Sequence, residues 1–353
     1  MLILFCIGVY IFYTDSIKAV GGNKEISFEV LSGDTYAALG PKLKKSGLIK
    51  SELVYKVYIK INELDSLKIG VYNLNTNMDL KTILTTLGKS TSYNPNVVSI
   101  TFREGINIRD VAKEIEKVLG ISSGAVLEVM NDKDYIRELI KKYWFLEDNI
   151  LNSKIYYPLE GYLFPSTYEV YKNSTIEDVI EKMLDQTDKV LTKYKDAIEK
   201  SDYSIHEILT LASIVELESG FGTTSDSEEY SVTDLVESTF HNRVQGNWSL
   251  GSDVTTYYYL KIDDFKTSLN GNPNLYTCDY AYNTRCTSFT GLPVGPISLS
   301  GEEAIASSIN IVPSDYYYFV ADCKGKVYFT KDKTGREHRN VINKLKAEGN
   351  WCS

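Results

Sequence analysis

Apolar residues recur three and four positions apart across 204–220, and this spacing predicts a helix. The repeat is formed by Ile208, Leu211, Ala212 and Val215. Ser204 precedes Glu207 by three positions, as in a capping box, and Gly220 follows as a C-terminal stop. The segment therefore predicts a helix with a defined beginning and end.

Glu216 is an acidic residue within this apolar pattern. Its helical neighbours three and four residues back are Ser213 and Ala212. Such surroundings remove water from a carboxylate and raise its pKa, which suits a general acid near neutral pH. The alternative is a solvated residue on the outer side of an ordinary core helix, and the segment alone favours that alternative.

The first part of the chain has a mixed strand and helix pattern. The predicted elements are a strand at 26–30, helices at 36–46 and 53–61, a strand at 68–74 and a helix at 80–87. A strand followed by Gly33, Asp34 and a helix resembles the opening of LysM-type sugar-binding modules. We therefore predict a LysM-like α+β module at 25–92, with a spacer that binds no ligand as an equal alternative.

Two further units are predicted after this module. A linking α+β subdomain at 97–152 has a strand and then helices at 108–119, 123–130 and 134–142. The remaining residues, 155–353, form a mixed domain with helices at 175–200, 232–244, 300–309 and 337–346 and strands at 316–321 and 326–330. In it, Ser300 is expected to cap its helix together with Glu303. The aromatic segment 156–168 contains Pro158, Gly161 and Pro165, which predicts an ordered loop or one wall of a pocket.

The first thirteen residues contain no charged side chain. This run is shorter than a full membrane span and lacks the basic start of a signal peptide. We interpret residues 1–18 as the remaining part of a membrane anchor, which would place the rest of the chain outside the cell. A buried strand or helix is the alternative.

Composition argues against two classes of protein, those that bind nucleic acid and those that bind zinc. The formal charge is −9, with 38 basic and 47 acidic residues, which argues against a nucleic-acid partner. Only three histidines are present and no Cys-x-x-Cys spacing occurs, so neither a zinc site nor another metal site is expected. The 27 tyrosines suit the faces and hydroxyl edges of sugars, although ordinary packing accounts for most of them.

Four cysteines lie outside the apolar N-terminal run, an even number that fits an oxidising compartment. Four cysteines allow three pairings. We predict Cys278 with Cys286 and Cys323 with Cys352, because the first pair closes a short loop.

Eight short motifs together carry a resemblance to a known family. They are LEGYLFPSTY at 159–168, ASIVE at 212–216, FHNRV at 240–244, Ser252-Asp253, YNT at 282–284, GLPVGPI at 291–297, YFVA at 318–321 and Glu337-His338. In this order, after an apolar N-terminus and a LysM-like module, they resemble the endolytic murein transglycosylases of the MltG/YceG-like family. The resemblance covers nearly the whole chain.

This resemblance implies a single-pass protein of the cell membrane whose catalytic domain is extracytoplasmic. The implied substrate is the glycan strand of nascent peptidoglycan, cleaved between N-acetylmuramic acid and N-acetylglucosamine to leave 1,6-anhydro-N-acetylmuramic ends. Peptidoglycan synthases are candidate partners, and no cofactor is implied. Glu216 would be the single general acid/base, since no water attacks in this reaction. Glu218 lies about 200° further around the helix and is expected at the surface.

By the same resemblance, further residues would line the glycan groove or orient Glu216. They are Glu160, Asn242, Ser252, Asp253 and Asn283. Capping or turn formation is an equal alternative for Asn242, Ser252 and Asn283. The chain departs from the family pattern at Gly251, Val254, Arg285 and Val327, which puts individual substrate contacts in doubt more than the reaction.

The prediction is thus an α+β protein with a membrane anchor, a LysM-like module, a second subdomain and a C-terminal catalytic domain. Two other functions are weighed against lytic cleavage. One is a non-catalytic peptidoglycan-binding or scaffold protein of the cell-wall machinery. The other is a hydrolase that uses Glu216 with Asp253.

Overall fold

The computed structural model describes residues 2–31, 34–62, 64–89, 97–220, 222–278, 281–286 and 288–351. The chain divides into two compact units, Met1–Val98 (unit 1) and Ser99–Ser353 (unit 2). Helices and small two-stranded sheets occur in both, so the predicted α+β class is confirmed.

Unit 1 has a strand–helix–helix–strand–helix order after an N-terminal helix. Its elements are α1 (Leu2–Ser16), β1 (Glu25–Val30), α2 (Tyr36–Lys45), α3 (Glu52–Ile61), β2 (Gly70–Asn75) and α4 (Leu80–Gly88). β1 and β2 are antiparallel, with Glu25 opposite Asn75 and Val30 opposite Gly70. The predicted order of elements after α1 is confirmed.

The core of unit 1 lies between this sheet and its helices. Leu39, Leu43, Tyr55, Leu74 and Ile83 are completely buried in it. Side-chain oxygens of Thr35, Ser51 and Asp79 accept hydrogen bonds at the N-termini of α2, α3 and α4, as expected for these residue types. Helix α1 covers most of the predicted anchor segment at 1–18. Among the residues that the structure describes, no helix has both the length and the apolar character needed to cross a membrane.

Unit 2 is mainly helical, and its first strand begins two residues before Ser99. Its elements are β3 (Val97–Thr101), α5 (Ile108–Leu119), α6 (Ser123–Met130), α7 (Lys133–Lys142), a 3₁₀ turn (Asp148–Leu151), β4 (Thr167–Tyr171), α8 (Ile176–Lys193), α9 (Lys195–Ile198), α10 (Ile205–Ser219), α11 (Val232–Gln245), α12 (Asp253–Tyr259), α13 (Glu302–Ile309), β5 (Tyr318–Ala321), β6 (Val327–Thr330) and α14 (Arg336–Ala347). β3 pairs with β4, and β5 forms an antiparallel hairpin with β6.

Helix α10 is at the centre of unit 2, packed against α11, α12 and α13. Eight successive residues from Ile208 to Val215 are buried, so the helix has no solvent face along its middle. The predicted capping box of Ser204 and Glu207 is confirmed. The predicted cap of α13 is wrong, since Gly301 is its N-cap residue and the Ser300 hydroxyl has no hydrogen-bond partner within the described chain.

Candidate active site

A cavity of about 950 Å³ opens in unit 2 at the C-terminal end of α10. Its wall is formed by α11, the loop before α12, the β5–β6 hairpin and α14. The polar side chains in the wall are Glu218, Arg243, Ser249, Ser252, Asp253, Arg285, Asp322 and His338. The aromatic ones are Phe240, Trp248, Tyr276, Tyr318, Phe319 and Trp351. A cavity that combines aromatic surface with a small set of convergent polar groups is typical of a ligand site.

Glu218 is one of three acidic side chains among the described residues of the cavity wall, with Asp253 and Asp322. It lies on the last turn of α10, and its Oε1 accepts a hydrogen bond of 2.6 Å from the Ser252 hydroxyl. The prediction that Glu218 is a surface residue is therefore wrong. Helix α12 packs against α10, and Ser252, the N-cap residue of α12, therefore contacts the Glu218 carboxyl group.

The surroundings of Glu218 act on its protonation in opposite directions. Burial raises the pKa of Glu218, whereas the Ser252 hydrogen bond and the charges of Arg243 and Arg285 lower it. The net direction is a raised pKa. Glu218 can therefore hold a proton at higher pH than an exposed glutamate, and cationic groups are nearby to stabilise it after the proton has left.

Arg243 is held firmly by backbone groups. Its Nε donates to the Tyr317 carbonyl at 2.8 Å, Nη1 donates to the Leu250 carbonyl, and the guanidinium lies 5.1 Å from the Tyr318 ring centre. These contacts connect α11 with the β5–β6 hairpin and the loop before α12. Arg243 thus presents a fixed positive charge at the cavity wall.

His338 and Tyr318 form part of the opposite wall. Their rings are stacked with centres 5.1 Å apart, and His338 Nδ1 is enclosed with no hydrogen-bond partner in the described chain. Burial and the positive charge of Arg243 lower the pKa of His338. The imidazole is accordingly neutral at pH 7.

Glu216 lies elsewhere on α10. Its Oε2 accepts a hydrogen bond of 2.9 Å from the Gly301 amide, at the start of α13, and it is not among the described residues that line the cavity. Burial is the main cause of its raised pKa, followed by the Gly301 hydrogen bond, which lowers it, and repulsion from Glu104 and Glu303. A carboxylate at a helix N-terminus is a common stabilising arrangement. This geometry gives Glu216 a structural contact, and its predicted catalytic role stays a prediction.

Glu160 is fully enclosed away from the cavity wall. Its oxygens accept hydrogen bonds from the Ile108 amide at 3.1 and 3.2 Å and from the Tyr258 hydroxyl at 3.0 Å. Burial raises its pKa to about 8. Glu160 therefore connects the start of α5 with α12 within the core.

Two predicted groove residues instead organise loops. Asn242 donates from Nδ2 to the carbonyl oxygens of Ser314 and Tyr316, at 2.9 and 3.0 Å. Asn283 is completely buried, accepts from Thr256 and donates to the Leu275 carbonyl at 3.0 Å. Neither is among the described residues of the cavity wall, which favours the turn-forming alternative for both.

Ser252 and Asp253 do line the cavity. Asp253 is the first residue of α12 and forms an ion pair with Arg285. The guanidinium of Arg285 also lies 5.7 Å from the centre of the Tyr276 ring. Arg285, noted above as a departure from the family pattern, is thus part of the site.

The loop that carries Arg285 is closed by a disulfide between Cys278 and Cys286, which confirms the first predicted pair. Cys323 is also disulfide-bonded, and its predicted partner Cys352 lies outside the described residues. In the described part of the chain, no His, Cys, Asp and Glu side chains are grouped as three or more potential metal ligands.

The sequence pattern could not show which of the two glutamates on α10 faces the cavity. Residues three and four positions before each are buried in the structure, so both carboxyl groups have apolar neighbours along the helix. What separates them is the packing partner, Gly301 for Glu216 and Ser252 for Glu218. Arg243 and His338 were not predicted as site residues. Their presence in the motifs FHNRV and Glu337-His338 was the sequence signal that could have identified them.

Comparisons with known proteins cover nearly the whole chain. Residues 28–344 match the sequence model of the YceG-like family. An endolytic murein transglycosylase of Bacillus subtilis is 31% identical over 325 residues, covering 90% of this chain and 84% of the relative. An endolytic murein transglycosylase of Streptococcus pneumoniae is 30% identical and covers 97% of this chain, which spans only 62% of that relative. The crystal structure of a YceG-like protein from Listeria monocytogenes is 30% identical with a TM-score of 0.60, covering 91% of this chain and all of the other.

Proposed function

Because this chain belongs to the YceG-like family, we propose that it is an endolytic lytic transglycosylase acting on peptidoglycan. It cleaves the β-1,4 bond between N-acetylmuramic acid and N-acetylglucosamine within a glycan strand. The product ends are 1,6-anhydro-N-acetylmuramic acid. The proposal extends to this chain the activity named for the relatives from B. subtilis and S. pneumoniae.

The observation that carries the proposal is the position of Glu218. Its carboxyl group borders the cavity, is held by the Ser252 hydroxyl and has a pKa raised by burial. A lytic transglycosylase needs one group that donates a proton and later accepts one. Glu218 has these properties, so we assign the general acid/base role to it rather than to Glu216.

The reaction proceeds in two proton transfers. Protonated Glu218 gives its proton to the glycosidic oxygen as the bond from that oxygen to C1 of the muramic residue breaks. The C6 hydroxyl oxygen then bonds to C1, and the carboxylate of Glu218 accepts the hydroxyl proton. Glu218 donates one proton and then accepts one, and no water takes part. The reaction therefore requires no second catalytic carboxylate.

Arg243 and Arg285 support the intermediate stage. After the first transfer, Glu218 is a carboxylate in a partly enclosed site, where an unpaired charge is costly. Both guanidinium groups lower its pKa through their charge, which means that they stabilise the ionised form. The aromatic side chains Trp248, Tyr276 and Tyr318 offer flat apolar surface against which sugar rings pack.

We also propose that the protein works at the cell membrane, with unit 2 on the extracytoplasmic side. Support comes from the apolar run at 1–13, which contains no charged residue and lies mostly in α1, and from the disulfide in unit 2, since disulfides form in oxidising compartments. The strand–helix–helix–strand order of unit 1 is consistent with a LysM-like module that contacts the same glycan.

Product analysis tests the proposed reaction. We expect purified glycan strands incubated with the native protein to give shorter strands ending in anhydro-muramic residues, identified by mass spectrometry. Ordinary reducing ends would instead show hydrolysis with an attacking water. Strands that are bound in a pull-down assay but remain uncut would show a binding protein.

Ser252 is proposed to position Glu218, and the pH dependence of turnover tests that role. The Ser252 hydroxyl favours the charged form of Glu218 and so lowers its pKa. In Ser252→Ala the pKa of Glu218 rises, so the alkaline limb of the pH–rate profile should move to higher pH. We expect kcat to fall about tenfold at neutral pH, the value of one hydrogen bond to a charged group.

Ser252→Thr is the matched control, because it keeps a hydroxyl group at the same position. The Ser252 side chain makes no capping hydrogen bond to α12, so its removal leaves the start of that helix intact. We expect the Thr variant to restore both the native pH profile and most of the turnover. A Ser252→Ala profile that falls uniformly at every pH would contradict the positioning role.

A further inference from the structure

Helix α3 of unit 1 carries an apolar stripe that faces solvent. Leu53, Val57 and Ile61 are spaced four residues apart and are 68%, 42% and 66% exposed. Side chains with this spacing follow one side of a helix. Apolar residues scattered singly need no explanation, but three along one helix face define a contact surface.

The opposite face of α3 is the one that packs in the core. Val54 and Tyr55 are buried, and Tyr58 packs against the same core cluster. With about 100° between successive residues, Lys56 and Lys60 lie beside the stripe, on the side away from Tyr58. Lys56 forms an ion pair of 2.7 Å with Glu52 on the same helix. The outer face of α3 is therefore amphipathic, with an apolar centre and the positive charge of Lys60 at its edge.

Helix α1 leaves unit 1 next to α3. Tyr13 of α1 is close enough to Tyr58 to influence its pKa, and Asp15 forms an ion pair of 3.2 Å with Lys50, just before α3. Beyond that contact, Ile7, Val9, Tyr10, Ile11 and Phe12 are all about half or more exposed. An apolar helix and an apolar stripe thus adjoin in one unit.

The charge of unit 1 differs in sign from that of the whole chain. Residues 1–98 contain 11 lysines and 8 acidic residues, a net charge of +3, whereas the whole chain has a net charge of −9. A unit with net positive charge and exposed apolar side chains is complementary to a layer of anionic lipid headgroups.

We propose that the outer face of α3 lies on a lipid bilayer, with Leu53, Val57 and Ile61 inserted at the headgroup boundary and Lys60 near lipid phosphates. Unit 1 then has a second membrane contact besides α1, which fixes its orientation on the bilayer surface. Two membrane contacts in one protein bind a bilayer more firmly than either contact alone. The proposal concerns unit 1 alone and does not depend on glycan cleavage.

Sedimentation with lipid vesicles tests this proposal on the full chain. We expect the native protein to bind vesicles of phosphatidylcholine with phosphatidylglycerol, and to bind less at high salt or without the anionic lipid. The triple variant Leu53→Gln, Val57→Gln, Ile61→Gln keeps α1 and should bind about tenfold or more weakly. Lys60→Glu should weaken binding only where anionic lipid is present.

Ile69→Gln provides a matched control, because Ile69 is 54% exposed but lies outside α3. Equal binding by the native protein and the triple variant, with circular dichroism showing both folded, would overturn the proposal while leaving membrane attachment through α1 intact. Self-association of the native chain in solution, lost in the triple variant, would overturn it in favour of a second copy as the partner. Glycan cleavage in solution should be unchanged in all these variants, so a failure here is separable from a failure of the proposed function.

Discussion

Glu218→Gln should reduce the turnover of glycan strands by about 10²- to 10⁴-fold, the usual contribution of a general acid/base. Glutamine has nearly the same volume and can still accept the Ser252 hydrogen bond, but it cannot transfer a proton. We therefore expect the loss in kcat, with little change in KM. Initial rates at several strand concentrations, quantified as anhydro-muramic ends, provide the measurement.

Glu216→Gln is the matched control, two residues away on the same helix. The amide oxygen of glutamine can accept the Gly301 hydrogen bond that Glu216 accepts now, so the start of α13 remains satisfied. We expect turnover within about threefold of the native protein, because Glu216 is not among the described residues of the cavity wall and the substitution keeps the hydrogen bond from Gly301. Full activity of Glu218→Gln together with an inactive Glu216→Gln would return the catalytic role to Glu216.

The pH dependence follows from the same assignment. Protonated Glu218 is the active form for the first step, and burial raises its pKa. Activity should therefore extend to higher pH than an exposed glutamate would allow, and fall as the pH rises through that raised pKa.

The sequence predicted the framework of the molecule well, because local signals determine it. Capping residues and apolar spacing fixed α10 and its capping box, and the predicted strands of unit 1 pair as β1 and β2. The wrong prediction at Ser300 has a physical cause. Ser300 is buried in the loop before α13 and its hydroxyl makes no capping hydrogen bond, so Gly301 is the N-cap residue of the helix.

The site itself depends on contacts between elements distant in sequence. The helical period correctly separated Glu216 from Glu218, and the structure has them contacting Gly301 and Ser252 respectively. Whether Glu216 or Glu218 faces the cavity depends on where α12 and α13 pack against α10. No local sequence pattern encodes this packing. Similarly, Glu160 and Asn283 are residue types that often contact glycans, but here both are buried. They accept hydrogen bonds from Tyr258 and Thr256 of α12 respectively.

Glu237 should make unit 2 less stable as the pH rises from about 5 to about 9. It is completely buried on α11, and neither carboxyl oxygen has a hydrogen-bond partner within the described chain. Burial, with a contribution from Asp234, raises its pKa to about 9 from an ordinary value of 4.5. The folded protein therefore binds this proton more tightly than the unfolded chain, so stability is lost as pH rises between the two values.

The size of the effect follows from linkage, at most about 1.4 kcal/mol per pH unit. Between pH 5 and pH 8 the free energy of unfolding should fall by about 2–4 kcal/mol from this residue. Glu237→Gln, which cannot ionise, should lose this slope when urea unfolding is measured at several pH values. Glu237→Met should also remove the cost of an unpaired buried polar group and exceed the native stability at pH 8.

Glu228→Gln is the control for this comparison, since Glu228 is exposed in the loop before α11. It removes one carboxylate from the chain without touching the core, so its stability curve should run parallel to the native one. If the Glu237→Gln curve were also parallel to the native curve from pH 5 to pH 8, the Glu237 carboxyl would have to be solvated or paired in the folded protein. That result would contradict a Glu237 carboxyl group that is buried with no hydrogen-bond partner, because a desolvated carboxyl group cannot ionise without a cost in stability.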